Sequence, residues 1–391
     1  MKLTRKNWIQ ISSTTLIRTV TNTGFRMVFP FQPMLMEGFG ISLETITRMY
    51  AGQSLVGIVS PFLASLADTR GRRTGMLAGM ILFCLGTLVV SIFPTSLGFF
   101  FFLILSMLGK AIFDPSLHAY FGDTIPFERR GFVLGITEIS WSLSFFLGVP
   151  AVGFLMSRLG LLSPFLILTA LGVISFLVIL ILIPADPSFQ QTNQSMLANF
   201  RLVLRSGTTM AGLGVMLLIC TANQLVNVVF SVWLNQSFGL QIAALGGASA
   251  LIGVAELVGE GGVSAIADRM GTRKAVTYGL IGSVITSAIL PLVGSTTAGA
   301  YLGLFLFYLT FEFTIVSLIP LMTGVLPEAR GTVMALNIAS ANLGRGLGSL
   351  IAAPLFLGGF WLNALAAAIV NLLAILVLRY VVVQEKISST R

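Results

Sequence analysis

Charge is scarce in this chain. Asp, Glu, Lys and Arg together make up 9% of its 391 residues, against about a quarter in ordinary soluble domains. So few ionised side chains cannot clothe a domain of this size in water, which excludes a conventional soluble globular protein. Cysteine is nearly absent, with Cys84 and Cys220 alone, and His118 is the one histidine. A disulfide framework is therefore not expected, nor is a zinc-type ligand set. The phosphate-cradling word G-x-x-x-x-G-K-[ST] is missing, which removes ATP as an expected energy source. No nucleophile with an adjacent base stands out, so neither an enzyme nor a bound cofactor is expected.

What is present is apolar. Hydrophobic residues form 55% of the chain, and mean hydropathy is +0.95. Stretches 74–109, 206–255, 275–311 and 346–378 hold no charged residue, while a membrane-crossing helix needs about 20 apolar residues. The runs lack period-2 alternation and exceed the roughly 10 residues of a barrel strand. The expected fold is an all-α membrane protein with twelve spans: 9–35, 43–66, 75–94, 97–121, 132–157, 160–184, 207–235, 242–266, 275–294, 298–324, 332–357 and 360–383.

The net charge of +9 records topology and not a nucleic-acid partner. Most basic residues fall in the termini and in alternate loops, and basic loops stay cytoplasmic. Both termini are therefore expected inside, in a multi-pass protein of the cell (inner) membrane. The opening M-K-L-T-R-K has the look of a signal peptide, but Arg18 and Arg26 interrupt the apolar segment after it, so an uncleaved first helix is expected.

A short polar word occurs twice, 200 residues apart: A-D-T-R-G-R-R at 67–73 and A-D-R-M-G-T-R at 267–273. The same offset pairs Gly79 with Gly279, Arg130 with Arg330 and Gly148 with Gly348. An internal duplication in a membrane protein points to paired bundles. The expected division is an N-terminal six-helix bundle at 1–184, a cytoplasmic linker at 185–206 and a C-terminal bundle at 207–391. In each word a glycine, Gly71 or Gly271, is placed to take the left-handed conformation of a tight reversal. Arg72, Arg73 and Arg273 anchor the loop at headgroups, and Asp68 and Asp268 suit the amides of a neighbouring helix N-terminus.

These features resemble the major facilitator superfamily, whose loop between helices 2 and 3 carries G-x-L-A-D-R-x-G-R-R. The resemblance covers the whole chain and is nearest the twelve-helix drug:proton antiporter branch. The chain departs from the pattern at Ala64, Thr69 and Thr272. The resemblance implies that spans 1, 4, 7 and 10 line a cavity, that 2, 5, 8 and 11 form the interface between halves, and that 3, 6, 9 and 12 face lipid. It also implies that Asp68, with Gly71, Arg72 and Arg73, works a cytoplasmic gate against the start of span 11, just after Arg330. Asp268, Gly271 and Arg273 are the second copy. In helix 5 the branch has G-P-x-x-G-G, which Gly148-Val149-Pro150-Ala151-Val152-Gly153 matches approximately.

Nine acidic or basic residues lie within the expected spans and not at their ends: Arg18, Arg26, Lys110, Asp114, Glu138, Glu256, Glu260, Glu312 and Arg345. Each costs at least roughly 2.5 to 3.5 kcal/mol at a helix centre, so each is a functional candidate. None falls on spans 3, 6, 9 or 12. Lys110, Asp114 and His118 are four apart and share one face of span 4; Arg18, Asn22 and Arg26 do the same on span 1. Asp114 and Glu138 sit about 13 and 10 Å from the same end of their helices, where a shared proton is feasible if their faces meet. Inert ion pairing is the competing reading for these groups. Asn223, Gln224 and Asn227 add neutral polarity on span 7.

The function expected is secondary active transport by alternating access, with the site between the halves. The sharper expectation is proton-coupled efflux (antiport) of small amphipathic compounds, driven by the proton gradient. Its proton-coupling candidates are Asp114, Glu138, Glu312 and His118. Cavity candidates are Arg18, Asn22, Arg26, Lys110, Asn223, Asn227, Glu256 and Arg345. Five acids against four bases within the spans leave proton symport of a small polar nutrient, or lipid flipping, open. The expected partners are a small molecule, protons and the bilayer, around a monomer.

Overall fold

The computed structural model describes residues 3–59, 71–185 and 196–381. Asp68 lies outside them, and Asp268 is described for its backbone only. Among the described residues there is no strand. The first part of the chain forms α1 (Arg5–Arg26), α2 (Gln32–Phe39), α3 (Leu43–Ile58), α4 (Arg72–Ile92), α5 (Ser96–Thr124), α6 (Phe127–Leu143), α7 (Val149–Leu159) and α8 (Ser163–Leu182). The second forms α9 (Met196–Arg205), α10 (Gly207–Asn227), α11 (Phe230–Phe238), α12 (Ile242–Met270), α13 (Thr272–Val293), α14 (Thr297–Val325), α15 (Arg330–Leu357) and α16 (Phe360–Leu378). Nine helices among the described residues are long and apolar enough to cross a membrane, which makes this a multi-pass membrane protein.

The duplication is written into the backbone. All six positive-φ residues among those described are glycines, and they fall into three pairs: Gly40 and Gly239, Gly71 and Gly271, Gly160 and Gly359. Gly40 and Gly239 close α2 and α11 in the left-handed conformation. Gly71 and Gly271 depart from the expected left-handed reversal. Their φ is positive, at +94° and +86°, but ψ of 150° and 141° places them in the extended mirror-image region as the residues before α4 and α13. Glycine is still required there, because a Cβ forbids that region. The 29-residue helices α5 and α14 open in matching fashion, with Thr95 and Thr296 hydroxyls accepting from the amides of Gly98 and Gly299, each at 3.1 Å.

Two expected spans are interrupted. The first breaks at 27–31 between α1 and α2, and the seventh breaks at 228–229 between α10 and α11. The fifth contains a π-helical turn, Ser144–Gly148, between α6 and α7. Pro150 follows that turn. It lacks an N–H, and its ring crowds the carbonyl four residues back, so the helix widens locally. Breaks in a buried helix orphan carbonyls, and side chains meet those of the first break: Tyr50 Oη donates to the carbonyl of Val28 at 3.0 Å, and Ser231 Oγ donates to that of Phe29 at 2.5 Å.

Packing divides the chain into two compact units. One joins Met1–Gln191 to Asn227–Leu257; the other joins Thr192–Val226 to Val258–Arg391. In the first unit, α4 and α5 cross with their backbones in contact. A Cβ on Gly79 would stand 2.7 Å from the Gly109 carbonyl, and one on Gly109 would stand 2.6 Å from that of Gly79. Small residues at such crossings replace the hydrophobic drive that lipid cannot supply. In the same unit α12 lies against the π-turn of the fifth span, where a Cβ on Gly253 would reach the Phe146 amide at 2.5 Å. The second unit is built around a core that includes Val203, Met216, Leu280, Leu318, Met322 and Val333, and α15 packs on α10 through Gly344 and Gly348.

Candidate functional site

The first unit buries a charged cluster where α1, α5 and α6 meet. Arg18, 6% exposed, is its centre: Nε lies 3.2 Å from Asp114 Oδ1, and Nη1 lies 2.8 Å from Glu138 Oε1 and donates to the Thr137 carbonyl at 3.1 Å. Lys110 Nζ grips the other oxygen of Asp114 at 2.7 Å and donates to Asn22 Oδ1 at 2.5 Å. Asn22 completes the chain by donating to Ser140 Oγ at 3.2 Å. Two cations therefore face two carboxylates. That balance matters because an unpaired buried charge is far costlier than a paired one. The two acids meet through a shared guanidinium.

One edge of the cluster is open. The Glu138 side chain is 48% exposed and His118 is 37% exposed, with its Nε2 3.1 Å from Glu138 Oε1. The spacing reading of α5 holds geometrically, since Lys110, Asp114 and His118 all reach this cluster. On α1, Arg18, Asn22 and Arg26 share one face toward α5 and α6, but Arg26 belongs to a second ion pair. Its Nη1 lies 2.8 Å from Glu256 Oε2 and its Nη2 lies 2.5 Å from Glu256 Oε1, with the two side chains 4% and 2% exposed. The same guanidinium donates to the Trp141 carbonyl at 2.8 Å. It stands 3.5 Å from the centre of the Phe145 ring and 4.1 Å from that of Trp141.

Trp141, Phe145 and Ser144 were not legible as site residues from charge or spacing. Trp141 touches both groups of charges, with Lys110 Nζ 5.6 Å from its ring centre. The available signal was the aromatic pair one turn apart just before Gly148 and Pro150. The widened turn presents the Trp141 carbonyl to Ser144 Oγ at 2.6 Å as well as to Arg26.

In the second unit Glu312 on α14 is buried and lies against Gly259 of α12. Glu312 and Arg345 both come near enough to Cys220 of α10 to act on it electrostatically. Gln224 donates to Ser349 Oγ at 3.0 Å. Asn223 on α10 is buried, and its Nδ2 has no hydrogen-bond partner among the described residues. Asn227, at the end of α10, is buried too, whereas Glu260 is half-buried one turn beyond Glu256.

The repeated basic residues make repeated contacts. Arg73 donates to the carbonyl of Leu180 and Arg273 to that of Arg379, each at the end of its own repeat's last helix. Arg130 and Arg330 donate to Ile125 and Thr323, carbonyls near the ends of α5 and α14, where a cation also suits the helix dipole. Arg72 is buried and pairs with Asp123 at 3.1 Å.

Comparison with known proteins agrees with this architecture. The family model described as Major Facilitator Superfamily matches residues 14–349. The Multidrug resistance protein MdtG of Klebsiella pneumoniae (strain 342) is 28% identical over 300 residues, covering 71% of this chain and 70% of that one. The MFS-type transporter YceJ of Bacillus subtilis (strain 168) is 26% identical over 347 residues, covering 86% of each. Among solved structures, a D-xylose-proton symporter superposes with a TM-score of 0.76 at 17% identity, covering 94% of this chain and 97% of that one. It shares the fold. A duplicated, all-helical membrane chain with a family match over most of its length belongs to the major facilitator superfamily, and is a transporter and not an enzyme.

Proposed function

We propose that the protein is a twelve-span secondary transporter of the inner cell membrane, with both termini cytoplasmic. In this reading it exports small amphipathic compounds by proton antiport. The observation that carries the reading is the pairing of Arg18 with both Asp114 and Glu138 beside an open edge. Protonating Glu138, the exposed acid, would leave Arg18 with Asp114 as its one anionic partner. The contacts that join α1 to α6 would then change with a proton. His118 is placed to relay that proton. Glu312 is the corresponding acid of the second unit, with Asn223, Asn227 and Arg345 as cavity groups. Relatives named as multidrug resistance proteins support export as the direction.

The test is proton movement in proteoliposomes. Substrate added against an imposed pH gradient should dissipate it, with protons moving opposite to the substrate. Glu138→Gln should remove most of that coupling while retaining substrate binding. Transport indifferent to the gradient would reject the proposal, and protons moving with the substrate would turn it into symport.

A further inference from the structure

The Arg26 guanidinium is seated with unusual completeness. The Trp141 carbonyl and Ser144 hydroxyl, at 2.8 and 3.5 Å, fix it from one edge. The Phe145 and Trp141 rings lie within 3.5 and 4.1 Å of it. These groups all belong to the π-turn region of the fifth span, so the seat exists on α1 and α6 without any help from α12. What α12 supplies is one carboxylate, that of Glu256, which takes Nη2 and shares Nη1 with the seat in a two-oxygen grip. That fork is the geometry by which arginine recognises a free carboxylate. Beside it the aromatic wall continues: Trp141 is half-buried, and Phe25 lies 6.4 Å away from it and 6.5 Å from Phe29.

We infer that the Arg26 seat is the recognition site for a carboxylate-bearing, planar apolar substrate, and that Glu256 is a resident carboxylate which substrate displaces. The inference rests on the proposed transporter function and names the substrate class within it. The substrate's carboxylate takes the fork of Arg26 while its ring system lies along Trp141 and Phe25. Release of Glu256 frees α12 at the place where Gly253 abuts Phe146. Binding and opening are thereby the same exchange of one carboxylate for another. In apparent affinity, the substrate bears the cost of evicting its internal rival, as for any ligand whose competent state is only partly populated.

The experiment compares 2-naphthoate with its neutral isostere 2-naphthamide on the purified full-length protein in nanodiscs, by calorimetry. Wild type should prefer the carboxylate. Glu256→Gln removes the rival charge at constant shape and should tighten 2-naphthoate by about tenfold or more, leaving 2-naphthamide unchanged. Arg26→Lys keeps the charge but loses the fork, and should abolish the preference. Should Glu256→Gln fail to fold, Glu256→Asp keeps the rival charge but is one methylene too short for the two-oxygen grip, and should tighten 2-naphthoate by a smaller factor, again leaving 2-naphthamide unchanged. Equal effects on both ligands, or no gain for the carboxylate in either Glu256 variant, would overturn the inference. Proton exchange is read separately in proteoliposomes. Carboxylate selectivity without proton movement sinks the coupling reading alone, and proton exchange without the selectivity sinks this one alone.

Discussion

Arg18 holds the charged cluster together, and its removal has an uneven cost. It neutralises two carboxylates and caps the Thr137 carbonyl while almost wholly buried. Arg18→Ala would leave Glu138 facing the open edge but leave Asp114 with Lys110 alone. Removing one partner of a buried ion pair costs roughly 3–5 kcal/mol, so a large fall in melting temperature in detergent is expected. Glu138→Gln in the same background should recover part of it, because the carboxylate left without its guanidinium is then gone while Asp114 keeps Lys110. A fall confined to transport, with stability untouched, would show that water already solvates this cluster. The four-residue spacing of Lys110, Asp114 and His118 made their common face legible in advance. The choice of partner was not legible, because spacing along one helix is silent about which helix stands opposite.

At the level of helices, small residues and widened turns decide how closely elements approach. Gly109 sits where α5 meets the backbone of α4. In Gly109→Val the new Cβ lands on the carbonyl of Gly79, a backbone atom that cannot swing aside. Overpacking of this kind costs about 1–3 kcal/mol, and a destabilisation of that size in denaturant or thermal unfolding is the expected result. Gly131, which also pairs across the repeat, has open space around it, so Gly131→Val should show no such steric cost and serves as the control. The breaks at 27–31 and 228–229 were illegible in the sequence, since hydropathy runs straight through both. The first is tolerated because Tyr50 and Ser231, from distant parts of the chain, satisfy the carbonyls it frees.

Across the whole molecule, the repeat and the packing units follow different lines. The duplicated word, the three glycine pairs and the matching caps of α5 and α14 divide the chain into like halves. Segment Asn227–Leu257 nonetheless packs with Met1–Gln191, held by Ser231 on Phe29, by Glu256 on Arg26 and by Gly253 on Phe146. Gly253→Val should prevent this seating. A cysteine at Ser231 is then expected to react several-fold faster with a membrane-impermeant maleimide than in the parent protein. Unchanged reactivity would mean that α12 seats without the glycine.

The sequence by itself determined the solvent, the duplication and the inventory of buried charge. Hydropathy, a 200-residue offset and four-residue spacing are all local or one-dimensional properties, readable without coordinates. Keeping charge out of the interiors of spans 3, 6, 9 and 12 also follows from a cost that each residue bears individually in lipid. Only the tertiary structure decided the pairing. Arg18 and Arg26 are two turns apart on one helix, yet the first binds acids from α5 and α6 and the second binds an acid 230 residues away. Ion pairs form between whichever charges the helix packing brings within a few ångströms, and that packing is set by many weak, long-range contacts that leave no periodic trace in the chain.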